Sequence, residues 1–406
     1  MRTLKSLFRR MLPLLVSVAL AGGWTAYPAG AAAEEPGGLD GSAARPKTEL
    51  AAQARSAILM DAASGTVIYE KNSHEPLPPA SITKIMTMLL VAEAIDEGRL
   101  KLTDKVRASE HAASMGGSQI FLEPGEEMTV EELLKGVAMA SANDASVALA
   151  EKIAGSEEEF VRMMNEKAAQ LGMKDTKFVN SSGLPAEGHV SSARDIAVMS
   201  RELLKHEFIT KYTGAYQDYL RQNTDKPFWL VNTNKLVRFY NGVDGLKTGY
   251  TSEAKFCLSA TARRGDFRLI AVVMGEPDAK TRNAEISRML DYAFAQYTSL
   301  PIYKAGDTMG TLEISKGARA RIPLVAKQTY SVLIRKNGAG DKIRHELKLK
   351  QPIAAPVKAG DEVGRLIVYR GDKVIADFPV EAPESVGKAT WWTLLGRVAG
   401  KLFFAE

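Results

Sequence analysis

The sequence predicts an α+β domain over about residues 46–297, then a small all-β domain over 298–384 and an amphipathic helix over 385–406. Three observations predict it. Strand patterns bracket a long helical block between Ala57 and Tyr297. Beyond Leu300 the texture changes to short alternating runs divided by turn signals. Between Lys388 and Phe404 the apolar residues recur at helical spacing.

The chain opens with the three parts of a secretory signal. A basic stretch from Arg2 to Arg10 precedes an apolar run, Met11 to Ala21, and Ala31-Ala32-Ala33 offers a small-residue cleavage site. The run is shorter than the roughly 20 residues that span a bilayer. That favours a signal peptide over 1–33 above an uncleaved anchor. Residues 34–45, rich in Gly, Ala, Pro and Glu, read as a flexible leader.

Ala57–Met60 and Gly65–Tyr69 flank a turn and read as a β-hairpin. Pro78-Pro79-Ala80-Ser81 then leads into the apolar run Ile85–Ala92, a helix start, since proline suits the entry and not the interior. Helical patterns recur at Val130–Ala150, Glu157–Leu171, Ala193–Lys205 and Ala284–Tyr297, and strand patterns at Gly245–Ala262 and Arg268–Met274. The later domain has alternating runs at Tyr330–Ile334, Ile343–Leu349, Arg365–Tyr369 and Val374–Val380, with turns at Asn337-Gly338 and Gly371-Asp372. These suggest a sandwich or partial barrel. In the last stretch Trp391, Leu394, Leu395, Val398 and Leu402 share one helical face, opposite Thr393, Arg397 and Lys401. Paired tryptophans with basic residues suit a helix lying in a membrane interface. The competing reading packs it on the protein's own body.

Charge excludes one class of partner. Lys+Arg number 53 and Asp+Glu 48, but Arg2, Lys5, Arg9 and Arg10 are the only charges in residues 1–33. Without them the balance is 49 to 48, a net of +1. No large positive excess remains to neutralise phosphates, so nucleic acid is not an expected partner. The single cysteine, Cys257, sits in an alternating apolar run and reads as core packing. No close-spaced ligand set suggests a metal, and none of the five histidines lies in a nucleophile motif, so no cofactor is expected.

The chemistry-bearing residues form three short motifs in order: Ser81-Ile82-Thr83-Lys84, Ser141-Ala142-Asn143 and Lys247-Thr248-Gly249. Each alone is weak. Ser81 and Lys84 by themselves read as an N-cap and an exposed lysine, Ser141-Ala142-Asn143 as a capping turn, and the third motif as an ordinary strand. Together they make a strong signal. At a helix start, residues i and i+3 share a face, which brings an amine to a hydroxyl. Lysine is a base only when burial or a neighbouring cation lowers its pKa from ~10.4; Lys247 can be that cation. Ser141 can relay a proton from Lys84 to a leaving amine, and the Asn143 amide can hold Lys84 and a substrate carbonyl at once. Lys247 and Thr248 offer a cation and a hydroxyl to a carboxylate, and Gly249 removes a side chain where a ligand backbone would approach a strand edge. The backbone N–H groups of Tyr250 and Ser81 can form an oxyanion hole.

In this order the motifs resemble those of the penicillin-binding proteins and serine β-lactamases. The wider context resembles the type-5 low-molecular-mass D-alanyl-D-alanine carboxypeptidases. Pro79–Thr87, Asp244–Thr251, Leu171–Thr176 and Ser191–Asp195 are similar to that family's patterns, and the likeness covers nearly the whole chain beyond the leader. It implies a catalytic domain of the serine β-lactamase/DD-peptidase type, an antiparallel sheet with a helical block. It also implies attack by Ser81 between the two terminal D-alanines of a peptidoglycan stem, through an acyl-enzyme, with β-lactams as acylating inhibitors. Arg282 falls where the family places an arginine that assists carboxylate recognition. The loop at about Asn180–His189 corresponds to one beside the family's cleft, with Ser182 where some members carry histidine. The implied location is outside the cytoplasmic membrane, peripheral on its outer face and wall-associated. Two other functions remain open on the residues alone. A β-lactamase would need a deacylating base, and no class-A-like glutamate motif stands between Ser141 and Lys247. A non-catalytic wall-binding protein would use the same cleft.

Overall fold

The computed structural model describes residues 49–222, 224–336, 342–350 and 352–403, without side chains for 398–403. The expected signal peptide, leader and Asn337-Gly338 turn lie outside these residues, as do the side chains of Val398, Lys401 and Leu402.

A five-stranded antiparallel sheet organises the catalytic region. Its strands are β1 (Ser56–Asp61), β2 (Val67–Lys71), β3 (Val243–Thr251), β4 (Lys255–Arg264) and β5 (Phe267–Glu276), in spatial order β2-β1-β5-β4-β3. The hairpin at its start forms, with Leu59 opposite Tyr69. The stretch read as one strand over Gly245–Ala262 is two, β3 and β4. No glycine or proline marks the turn between them; Lys255 takes the left-handed φ of 56° that usually calls for glycine.

Both faces of the sheet are covered, which is why its strands read as nearly continuous apolar runs. Side chains alternate across a strand. Ile58 and Met60 therefore face the helical block, while Ala57 and Leu59 face the opposite layer. The helical block is built from α1 (Lys84–Asp96), α2 (Asn143–Ala154), α3 (Glu157–Gln170) and α4 (Ala193–Leu203). α1 is its axis: every residue from Lys84 to Ala92 is buried. A helix apolar all round belongs in a core. The opposite face is closed by α5 (Ala279–Gln296), through Ile286, Met289, Leu290 and Ala293. α5 starts before the expected Ala284, because Asp278 caps it by accepting the Thr281 N–H at 2.8 Å.

From Tyr297 the chain forms short, mostly antiparallel sheets around a separate apolar core that includes Leu312, Leu324, Leu366 and Val368, with Ile353–Ala354 pairing in parallel. The four expected strands are present, and Tyr297–Tyr303, Thr308–Ser315, Arg321–Val325 and Ile353–Ala354 add to them. α6 (Trp391–Phe403) ends the described chain.

Candidate active site

The chain enters α1 through one turn of 3-10 helix, Ala80–Thr83, with Ala80 at a left-handed φ of 48°. A non-glycine residue there is strained, and surrounding structure must hold it. Gly183 does so: a Cβ on it would stand 1.9 Å from the Ala80 carbonyl oxygen. The 180–190 loop therefore packs against the backbone that presents Ser81.

Lys84, the first residue of α1, has no solvent exposure. Its Nζ lies 3.0 Å from Ser81 Oγ, 2.6 Å from Asn143 Oδ1 and 2.6 Å from the Ser182 carbonyl oxygen. Burial first, and the Lys247 charge second, pull its pKa well below the usual lysine value, with Asp144 pulling the other way. A neutral amine has two N–H bonds and one lone pair. The Asn143 and Ser182 oxygens only accept, so they take both N–H bonds. In that neutral form the lone pair is left facing Ser81, whose hydroxyl can donate to it; in the charged form the third N–H donates to Ser81 Oγ instead. The amide cannot swap ends without loss, since Asn143 Nδ2 already donates to the Gly116 carbonyl at 2.6 Å.

Asn143 reaches this place through a break in the helical block. A π-helical turn, Gly136–Ala140, ends at Ser141, which is buried and left-handed with φ 63°. Asn143 then opens α2, its N–H held by the Ser118 carbonyl at 2.7 Å. Gly117 lies against the amide; a Cβ there would come within 2.9 Å of Asn143 Nδ2. Asp144 is buried and accepts the backbone N–H groups of Ile120 and Leu122 at 3.1 and 3.0 Å.

The third motif lies on β3, which forms one edge of the sheet. Lys247 is buried, donates to the Thr248 carbonyl at 3.0 Å, and is lowered to about 7 by burial and then by the Arg282 charge. Thr248 Oγ1 donates to Thr233 Oγ1 at 2.8 Å. Tyr250 is 57 % exposed and its ring packs on Phe256, centroids 4.4 Å apart. Arg282, in the first turn of α5, is buried and donates to Asn283 Oδ1. Cys257 is buried in the core, and burial pushes its thiol up to about 11.

Gly249 corrects the sequence reading. The space beside its Cα is filled by the protein, not left for a ligand: a Cβ would meet the Pro79 carbonyl at 2.9 Å and Ala80 Cβ at 3.2 Å. The glycine lets β3 close onto the turn that carries Ser81.

Three contributors were not legible beforehand. The Ser182 carbonyl holds Lys84 across 98 residues of sequence. Asp144 sets charge beside Lys84. His189 Nδ1 accepts the Val179 N–H at 3.1 Å, so Nε2 carries the proton and donates to Thr83 Oγ1 at 2.8 Å. Burial and then the Lys84 charge lower this ring to about 4, which keeps it neutral near pH 7. A backbone carbonyl leaves no trace in sequence; the only signal was Gly183, in a loop flanked by serines. Among the described residues no group of three His, Cys, Asp or Glu is placed to hold a metal ion.

A buried lysine amine with a lowered pKa against a serine hydroxyl, beside an asparagine amide and a cationic sheet edge, is the arrangement of a serine acyl-transfer enzyme that uses lysine as its base. Comparison with known proteins narrows that class. A family model described as D-alanyl-D-alanine carboxypeptidase matches residues 42–278, and one described as penicillin-binding protein 5, C-terminal domain, matches 297–388. The chain belongs to the D-alanyl-D-alanine carboxypeptidase family. It is 56 % identical over 353 residues to D-alanyl-D-alanine carboxypeptidase DacF of Bacillus subtilis, covering 87 % of this chain and 91 % of that protein. It is 36 % identical to D-alanyl-D-alanine carboxypeptidase DacD of Escherichia coli, covering 84 % of this chain and 89 % of that one. Among solved structures, penicillin-binding protein 5 of Haemophilus influenzae aligns with a TM-score of 0.66 at 30 % identity, covering 83 % of this chain and 98 % of the other.

Proposed function

We propose that this chain is a serine-type D-alanyl-D-alanine carboxypeptidase in which Ser81 is the nucleophile and Lys84 its base. The observation that carries the reading is the 3.0 Å contact between Ser81 Oγ and a fully buried Lys84 Nζ whose other partners are both acceptors. As Ser81 Oγ attacks the carbonyl between the two terminal D-alanines of a peptidoglycan stem, its proton passes to Lys84. The oxyanion is held by the backbone N–H groups of Ser81 and Tyr250. Lys84 then returns the proton, through Ser141, to the departing D-alanine nitrogen as the C–N bond breaks. Water attacks the Ser81 ester and the shortened stem leaves. Lys247 and Thr248 hold the terminal carboxylate, and Arg282 adds to the positive field behind them. A β-lactam acylates Ser81 by the same steps. Crystal structures of penicillin-binding protein D2 from Listeria monocytogenes in ampicillin- and cefotaxime-bound forms, each 31 % identical to this chain, support that reading.

The C-terminal helix supports a second element of the reading, contact with a membrane surface. Trp391 and Trp392 on α6 are 66 % and 75 % exposed. The helix is tethered to its own domain by Arg397, which donates to the Gly317 and Ala318 carbonyls at 2.8 Å. No helix among the described residues is long and apolar enough to cross a membrane. The exposed tryptophans of α6 suit an interfacial contact.

The test is release of D-alanine from a pentapeptide ending in D-Ala-D-Ala. The wild type releases it, and Ser81→Ala loses about 10⁴-fold or more of the rate. Equal release by both proteins overturns the assignment.

A further inference from the structure

The cleft continues past the nucleophile. Beside the turn that carries Ser81 lies a cavity of about 460 Å³, walled by Pro78, Pro79, Leu184 and Ala186 and carrying Glu187 and Glu253. Its inner wall is the backbone that presents Ser81; Thr251 and Glu253, which also line it, belong to the end of β3 and the turn that follows. One side of the cavity is thus continuous with the edge on which the substrate lies.

The direction of that substrate follows from β3. With the terminal carboxylate at Lys247 and Thr248 and the scissile carbonyl at the Tyr250 N–H, the peptide runs along the strand toward Thr251. At about 3.3 Å per residue, the residue preceding the two D-alanines comes level with Thr251 and Glu253, at the cavity. Two properties of the cavity then select its side chain. Proline, leucine and alanine walls accept methylene groups. Glu187 and Glu253 are exposed and have no ion-pair partner among the described residues. Lys177, whose ammonium lies near Gly188, pairs with neither. An apolar cavity lined also by two exposed carboxylates fits an aminoalkyl chain, which buries its methylenes and keeps its charged head in water.

We propose that this cavity is the subsite for the third residue from the substrate's C-terminus, and that Glu187 and Glu253 select a side chain ending in a primary ammonium. The proposal rests on the carboxypeptidase reading above, and it adds what that reading leaves open, namely which stem peptides are preferred. The carboxylates are specificity-determining residues. They touch no reacting atom.

The full chain is assayed on two pentapeptides, L-Ala-γ-D-Glu-L-Lys-D-Ala-D-Ala with the lysine amine free or Nε-acetylated. The wild type favours the free amine about fivefold in kcat/KM, the size expected of two solvent-screened charge pairs. Raising the salt from about 0.05 to 0.5 M shrinks the preference. In the double variant Glu187→Gln/Glu253→Gln the preference falls below about twofold, while kcat/KM for the acetylated peptide and the rate of penicillin acylation at Ser81 stay as in the wild type. Equal rates on both peptides in the wild type overturn the proposal, as does a preference that survives in the double variant. Either result leaves the carboxypeptidase reading standing, whereas no D-alanine release from either peptide removes both.

Discussion

The catalytic domain and the C-terminal β-domain are both built by covering sheets with apolar side chains, yet they treat charge in opposite ways. Around the cleft Lys84, Lys247, Asp144 and Arg282 are all buried, and behind it so are Glu276 and Glu285. Among the described residues beyond 297 the β-domain buries no charged side chain; Ser331 is its lone buried small polar residue. Removing an ion from water costs several kcal/mol even after relaxation. One region carries that cost repeatedly and the other avoids it. The difference teaches where the work is done: the burial that lowers Lys84 and Lys247 is found in the catalytic domain. Lys84 and Lys247 are both lowered, each with burial as the first cause and a neighbouring cation as the second.

The contrast can be broken by exchanging a residue in each region. Lys84→Met keeps an unbranched side chain as far as Cε and removes the amine. Acylation of Ser81 by a fluorescent penicillin falls about 10²- to 10⁴-fold, the range set by losing a general base. Leu366→Ala opens a cavity in the β-domain core, where Leu366 is fully buried. It costs about 2–5 kcal/mol of stability, read from denaturant unfolding, and leaves the acylation rate of the folded protein unchanged. If Leu366→Ala slows acylation below its melting temperature, the two regions are not separable in this way. The smallest effect concerns α6. Replacing Trp391 and Trp392 with serine weakens binding to vesicles containing anionic lipid several-fold and leaves D-alanine release in solution unchanged. Unaltered vesicle binding removes α6 as the membrane contact.

Much of this was legible in sequence, and the reason differs by region. The hairpin from Ala57 shows as a continuous apolar run because both faces of its first strand are buried, and the strand at Arg365–Tyr369 alternates because one face is. The three motifs were legible because each is short and local. What binds them together was not. The Thr83–His189 and Lys84–Ser182 contacts join residues 106 and 98 positions apart, and one of them uses a backbone oxygen. Gly249 carried a visible signal whose cause was misread, since the missing side chain makes room for Pro79 rather than for a ligand. In the β-domain the strand at Thr308–Ser315 was hidden by a register shift between Thr308 and Gly310, which breaks the alternation of Met309 with Leu312 and Ile314. Arg321–Val325 was hidden by Pro323, tolerable because that strand lies at a sheet edge.

The account turns on the proton state of one amine. Protein labelled with ¹³C at lysine Cε, titrated by NMR and compared with Lys84→Met to assign the signal, measures it directly. A Lys84 resonance that titrates well below the ordinary lysine value of ~10.4 is the predicted result. A Lys84 resonance that titrates near ~10.4 with the bulk of the lysines would contradict it.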